Sequence, residues 1–348
     1  QLLHRDALRL QLLPHSPPLS REKRENIRAT VAFVGSGNYA MGVLIPAFKS
    51  AGARMKTVAS SGGVSGVHAG LKHGFEQTTT AVETVFSDAE IDAVVIATRH
   101  DSHARLVCQA LAAGKHVFVE KPLALTQDEL VQIERAYGAA VAAGHTPVVM
   151  VGFNRRFAPQ VKNIRSLLDG VKAPKAFVIT VNAGAIPVDH WTQDKAVGGG
   201  RILGEACHFI DLLRFLAGST IAGHRIEVLR DASRSIAPAD KVSISLRFAD
   251  GSIGTIHYLA NGHRSFPKER IEVFCAGRVL QLDNFRKLQG FGWPAFRKMN
   301  LWRQDKGQRN CAKEFVNAVE RGDTSPIPFD ELIEVARVTI LIAEAART

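Results

Sequence analysis

The 348-residue chain is 46% hydrophobic and carries 44 Lys and Arg against 33 Asp and Glu, a formal charge of +11 at pH 7. That length and apolar content suffice for two hydrophobic cores, and no apolar run reaches the ~18 residues of a membrane helix. The basic residues are dispersed; the densest stretch, 21–28, is interrupted by Glu22 and Glu25, so no nucleic-acid partner is expected, while a general positive field favours anionic ligands.

In chain order, residues 1–26 read as an N-terminal extension or linker. Leu2, Leu3, Ala7, Leu8, Leu10, Leu12 and Leu13 are roughly helically spaced before Pro14, Pro17 and Pro18 break the pattern. A buried strand follows at Val31–Val34 and runs into Gly35-Ser36-Gly37-Asn38-Tyr39-Ala40. The glycines allow a sharp strand-to-helix turn that brings backbone close to a pyrophosphate, with Ala40 at the third small position. The helix from Asn38 would present free N–H groups and its positive dipole end to phosphate.

Apolar runs at Met55–Ala59, Ile91–Ala97, Val117–Val119 and Val148–Val151 alternate with helical stretches, which predicts βαβ units and a parallel sheet over residues 27–150. Asp101 is placed to cap a helix over Ser102–Ala113 that stops at Gly114; Thr126 to Glu129 form a capping box opening a helix that closes near Gly144. After the second strand, Val58-Ala59-Ser60-Ser61-Gly62-Gly63 supplies hydroxyls but no acid to hold an adenosine ribose, so the choice between NAD and NADP stays open.

Beyond residue 151 the pattern changes. Alternating strands at Lys175–Asn182, Arg225–Arg230, Lys241–Phe248, Ser252–Ala260, Arg270–Phe274 and Val279–Asp283 are joined by short Asp-Gly or Ala-Gly turns, which predicts a mostly antiparallel open sheet in an α+β domain over 151–348. The expected fold is therefore α/β, a Rossmann nucleotide-binding domain followed by that α+β domain, whose C-terminal helices could pack back on the first. Within it, Gly198-Gly199-Gly200 suggests a loop close to a ligand. The following helix to Gly218 places His208 and Asp211 on one face, so that the carboxylate could orient the imidazole. Cys108, Cys207, Cys275 and Cys311 form no CxxC pair, which points to a reducing cytoplasm and to no metal site. No secretory leader pattern is found near Gln1.

Taken together, these segments resemble the glucose-fructose oxidoreductase, inositol dehydrogenase and rhizopine-catabolism (Gfo/Idh/MocA) family over residues 27–348. The resemblance is carried by Gly35–Ala40 with Pro46 and by Ala97-Thr98 followed by His103. It continues through Ala113 to Ala124 with its Glu120-Lys121-Pro122 run, Val151 to Pro159, and the segment leading to His208. Asn261-Gly262 with Phe266 to Arg270, and the Gly200 to Phe215 segment, resemble a narrower branch that accompanies polysaccharide-biosynthesis clusters and is sometimes fused to a zinc-type alcohol dehydrogenase module.

The resemblance implies an NAD(P)-dependent oxidoreductase acting on a secondary hydroxyl of a sugar, sugar nucleotide or cyclitol. Lys121 would stabilise the developing alkoxide and His208 would take the hydroxyl proton, the two meeting at an interdomain site. Gly35, Ser36, Gly37, Asn38, Tyr39, Ala40, Ser60, Ser61, Thr98, Arg99, His100, His103 and Glu120, with Lys121, would hold the cofactor. Arg155, Arg156, His190, Trp191, Glu205, Tyr258 and Lys268 are the substrate candidates, since guanidinium, ammonium and aromatic groups suit a hydroxyl-rich or acidic sugar.

One departure stands out: the position four before His208, often acidic in the family, is Gly204, and Glu205 could replace it only if the helix backbone differs locally. The resemblance also implies a homodimer or homotetramer. It leaves two alternatives, a redox-assisted NAD-dependent glycosidase and a catalytically silent nucleotide- or sugar-sensing protein.

Overall fold

The computed structural model describes residues 9–13, 28–230 and 240–347. The described residues divide into two compact units: 9–13, 28–123, 128–152 and 308–329 make the first, and 124–127, 153–230, 240–307 and 330–347 the second.

In the first unit, β1 (Arg9–Gln11), β2 (Thr30–Val34), β3 (Arg54–Ala59), β4 (Gln77–Thr79), β5 (Ala93–Ile96), β6 (His116–Val119) and β7 (Val149–Val151) form one sheet ordered β1-β4-β3-β2-β5-β6-β7. All neighbours pair in parallel except β1, which runs antiparallel to β4. Strands β2 and β5 are wholly buried, as expected where helices cover both faces of a parallel sheet. The order reverses between β2 and β5, the switch point at which doubly wound sheets bind ligands. The crossovers carry α1 (Ile45–Ser50), α2 (Val64–His73), α3 (Glu83–Ser87), α4 (His103–Ala112) and α5 (Gln127–Ala142).

Two local expectations change here, and one strand is added. Arg9–Gln11 is an edge strand, not a helix: Leu12 and Leu13 donate backbone bonds to the Glu76 carbonyl, and Arg9 Nε reaches Gln77 at 2.7 Å. The remainder of the predicted N-terminal segment lies outside the described residues. Asp101 does not cap α4; it sits inside a 3-10 turn, His100–Ser102, and the helix begins at His103. The short strand β4 was not read from the sequence, because Gln77-Thr78-Thr79 is polar even though all three residues are buried.

The second unit starts with α6 (Pro159–Asp169), β8 (Ala176–Asn182) and α7 (Cys207–Ala217), and continues through β9 (Ile221–Val228), β10 (Lys241–Phe248), β11 (Ile253–Leu259), β12 (Glu269–Cys275), β13 (Arg278–Asp283), β14 (Lys287–Phe291) and β15 (Lys298–Asn300). These strands form one sheet, β15-β14-β13-β12-β8-β11-β10-β9, antiparallel throughout except for the β8–β11 pair. Alternation is explicit: Phe177, Ile179 and Val181 are buried, and Ala176, Val178 and Thr180 between them are not. Helix α7 closes tightly on β11, where a Cβ at Gly254 would lie 2.6 Å from Leu213 Cδ1. Finally, α8 (Gln308–Arg321) returns to the first unit, with Phe315 edge-on to Phe48 and Phe118, and α9 (Phe329–Ala345) belongs from Asp330 to the second.

Candidate active site

Gly35 is fixed by two constraints at the end of β2. Its φ is +104°, and a Cβ there would lie 2.4 Å from the Ala97 carbonyl oxygen at the end of β5. Only glycine lets the two strand ends approach at the switch point. Beside it Gly37 faces open space, and Asn38 and Tyr39 start the helix, which passes through a π-turn at Ala40–Leu44 before α1. The hydroxyls of Ser36, Ser60 and Ser65 form a triangle, with Oγ–Oγ separations of 3.0, 3.1 and 2.8 Å. Ser61 is exposed next to it. Ser65 escaped the sequence reading; its spacing five after Ser60, at the start of α2, was the available signal.

The loop after β5 is tied to the Glu-Lys-Pro run through His103. Its Nδ1 lies 2.7 Å from the Pro122 carbonyl and its Nε2 3.3 Å from that of Thr98. Burial lowers the His103 pKa despite both carbonyls. Thr98 also shares a 2.6 Å bond with Ser102 Oγ, His100 is buried with its ring 5.6 Å from that of His103, and Arg99 is exposed.

Glu120 follows β6 and is buried against Gly152, the first residue after β7. Burial pushes its carboxyl up to about 7, against the pull of the Lys121 ammonium and backbone amide. Lys121 is half-buried, and its peptide bond to Pro122 is cis.

These groups suit a dinucleotide. A glycine-fixed switch point with open space at Gly37, a cluster of small hydroxyls and a buried carboxylate provide what pyrophosphate and ribose hydroxyls require.

In the second unit His208 is buried in the first turn of α7, with its ring 6.1 Å from that of Phe153. The predicted pairing with Asp211 changes: Asp211 gives both oxygens to Arg156, at 2.8 and 2.9 Å from Nε. Burial pushes Asp211 up to about 6 against that guanidinium, so it is still ionised at neutral pH. Arg156 also reaches Glu331 at 2.6 Å. Arg155 is likewise buried, paired twice with Glu269 at 2.9 Å, and Lys306 completes that cluster at 2.6 Å. Both arginines, expected to face a substrate, are spent inside the unit.

The backbone before His208 does differ locally. Ile202–Ala206 is a π-turn leading into α7. Glu205, within it, binds three groups: Oε2 accepts from Tyr258 Oη at 2.5 Å and Arg201 at 2.8 Å, and Oε1 from Lys268 at 2.9 Å. Burial raises its pKa, but Lys268, Tyr258 and Arg201 overcome that and hold the carboxyl near about 2. Three predicted substrate residues thus converge, with Arg201 added; its i,i+4 spacing from Glu205 was legible.

His190 Nδ1 meets Thr192 Oγ1 at 2.8 Å at the start of a 3-10 turn, Trp191–Gln193. The glycine run is shaped by that loop. A Cβ at Gly198 would lie 2.3 Å from Thr192 Cα, and Gly199 and Gly200 have φ of +72° and +89°. Among the described residues no cluster of His, Cys, Asp and Glu could hold a metal, and no helix is long and apolar enough to cross a membrane.

Comparison with known proteins decides the family. Residues 29–153 match the oxidoreductase family profile with an NAD-binding Rossmann fold, and residues 173–280 match the Gfo/Idh/MocA C-terminal domain. The chain belongs to the Gfo/Idh/MocA oxidoreductase family. It is 26% identical to the inositol 2-dehydrogenase of Rhizobium meliloti, over 76% of this chain and 82% of that enzyme. It is 27% identical to the myo-inositol 2-dehydrogenase of Thermotoga maritima over 62% of this chain, spanning 64% of that relative, less than two thirds of its length. A solved levoglucosan dehydrogenase in complex with NADH and levoglucosan shares the fold, with a TM-score of 0.79 at 23% identity over 91% of this chain and 97% of that one. As in the rest of the family, the first unit is an NAD-binding Rossmann domain and the chain is an oxidoreductase.

Proposed function

We propose that the protein is an NAD(P)-dependent oxidoreductase that acts on a secondary hydroxyl of a sugar, sugar nucleotide or cyclitol. The observation carrying this reading is the Glu120-Lys121-Pro122 segment, where a buried carboxylate and a neighbouring ammonium end a strand of the NAD-binding domain in a family whose relatives include inositol dehydrogenases. NAD or NADP, when bound, supplies the two-electron acceptor.

This chain's residues then have distinct tasks. Glu120 holds ribose hydroxyls, and Gly35 to Ala40 with Thr98 and Ser60 line the rest of the nucleotide. His208 Nε2 takes the proton of the reacting hydroxyl, and the Lys121 ammonium lowers the energy of the negative charge that develops on that oxygen. Glu205, Tyr258 and Lys268 shape the substrate edge. Neutral hydroxyls at Ser36, Ser60 and Ser65 neither repel nor clamp a 2′-phosphate, which supports acceptance of both coenzymes.

The same reading extends to assembly and context. The β8–β15 sheet face opposite the α7 side carries Thr180, Ser243, Thr255, His257 and Arg270, none of them buried, and we assign it to a homodimer or homotetramer contact. Light scattering showing a monomer at micromolar concentration would contradict that. The cysteines Cys108, Cys207, Cys275 and Cys311 form no disulfide, in keeping with a cytoplasmic enzyme. Membership of the branch linked to polysaccharide biosynthesis, with an alcohol dehydrogenase module as fusion or partner, rests on Asn261-Gly262 with Phe266 to Arg270 and on the Gly200 to Phe215 segment.

The test is reduction of NAD and NADP by the purified chain across a panel of inositols, anhydrosugars and sugar nucleotides. Lys121→Ala and His208→Ala should each lower kcat/KM on the best substrate by at least about a hundredfold. Intact turnover in either variant would remove these roles. Tight NADH binding with no reaction across the panel would favour a sensing protein, and hydrolysis without net coenzyme reduction a glycosidase.

A further inference from the structure

The Glu205 cluster carries an inference about substrate class. Its carboxylate is ionised by a wide margin, and two cations, Arg201 and Lys268, share that single negative charge. The cluster is therefore left with one positive charge.

The two cations are not equivalent. Arg201 is only 5% exposed and is consumed by Glu205 and by the carbonyls of Gly184 and Ala183. Lys268 keeps 44% of its side chain exposed and spends one N–H on Glu205, which leaves two of its three donors for solvent or ligand.

Lys268 is also held in place. It ends the loop between β11 and β12, and Asn182, at the end of β8, pins that loop: Nδ2 donates to the carbonyls of His263 and Phe266 at 2.8 and 3.2 Å, and its amide donates to the Lys268 carbonyl at 2.8 Å. A Cβ at Gly262 would strike the Asn182 side chain, so that approach depends on glycine. The pinned loop holds a second exposed cation, Arg264, and no acid between Asn261 and Lys268. An anchored ammonium with free donors, beside an excess positive charge and tethered to a carboxylate three residues before His208, is how a protein selects an acidic group.

We infer that Glu205 does not hold the reacting hydroxyl but fixes Lys268 as the recognition group for an anionic substituent, so that the substrate is a sugar bearing a carboxylate or a phosphate. This rests on the oxidoreductase reading and narrows it. Lys268 binds the substituent, with Arg264 as second cation; Glu205, through Lys268, is a positioning residue.

Calorimetry on the NADH-loaded protein tests this with three probes that share one ring: D-glucose, D-glucuronate and D-glucose 6-phosphate. At least one acid should bind about tenfold more tightly than glucose or better, and the two acids separate a carboxylate site from a phosphate site. Lys268→Gln should shrink that ratio to about threefold or less, and Lys268→Arg should restore much of it. Glu205→Asp, which keeps the charge but shortens the tether to Lys268, should also reduce the ratio, where a purely structural role would leave it unchanged in folded protein. If Lys268→Gln does not fold, Arg264→Gln and a salt titration of the wild-type protein replace it, the ratio falling in both.

Glucose binding as tightly as both acids, or a ratio that survives Lys268→Gln, overturns the inference and leaves the oxidoreductase reading standing. So does turnover of neutral cyclitols with no affinity for either acid. A protein that fails to bind NADH would overturn both.

Discussion

Gly152 exists where it does because Glu120 occupies the space its side chain would need. A Cβ on Gly152 would sit 2.6 Å from Glu120 Oε1 and 2.9 Å from Cδ. Gly152→Ala should therefore push the carboxylate off its position while β6 and β7 stay paired. We expect NADH affinity to fall by about tenfold, ~1.4 kcal/mol, in calorimetry, with the circular dichroism spectrum unchanged. Unaltered affinity in a folded variant would show that Glu120 does not touch the nucleotide.

The same carboxyl predicts a pH dependence. Burial raises Glu120 from an ordinary value of 4.5 to about 7, so between those values the folded protein retains a proton that the unfolded chain has lost. Stability from this group is then fully present below about pH 4.5 and declines as pH rises through about 7, by roughly 3 kcal/mol in all. Urea denaturation of wild type and Glu120→Gln from pH 5 to 8 should show the decline in the former and a flatter profile in the latter. Parallel profiles would mean that the carboxyl is not perturbed.

Arg156 joins α7 to α9 through Asp211 and Glu331. Removing one partner strands a buried charge, so Arg156→Met or Asp211→Asn should destabilise the protein by about 3–5 kcal/mol. The double variant should cost clearly less than the sum, since the charge stranded by one change is removed by the other. Additive denaturation midpoints would argue that the two side chains do not act as a pair.

Coenzyme choice can be read at Ser60. Wild-type protein should bind NADH and NADPH within about tenfold of each other in fluorescence titrations. Ser60→Asp introduces the carboxylate that usually holds the ribose hydroxyls, and should weaken NADPH at least about thirtyfold while NADH changes little. Equal weakening of both coenzymes would place the serine triangle away from the 2′ position.

Much of the fold was legible. Strand β10 spans the predicted Lys241–Phe248, and the strands of the Rossmann sheet other than β1 and β4 fall within about two residues of their apolar runs. The misses share a cause. β4 and β15 are short and carry polar residues, so their strand state comes from the neighbours they pair with and not from their own periodicity. The spacing of Leu10, Leu12 and Leu13 reads as helical, yet Arg9–Gln11 is recruited by the open edge of β4.

For the site, sequence alone determined which chemistry-bearing groups exist and in what order: the Gly35 turn, the Glu120-Lys121 pair, the helix of His208, and the absence of an acid at Gly204. These follow from local backbone needs and motif spacing, which neighbouring residues dictate. Partner choice required the tertiary structure. Arg155, Arg156 and Lys268 are all cations on paper, but Glu269 and Asp211 bury the first two, and Glu205 holds the third with its ammonium still half in water. A charge is drawn to whichever opposite charge the fold brings within hydrogen-bond reach, and those partners lie between 55 and 114 positions away along the chain.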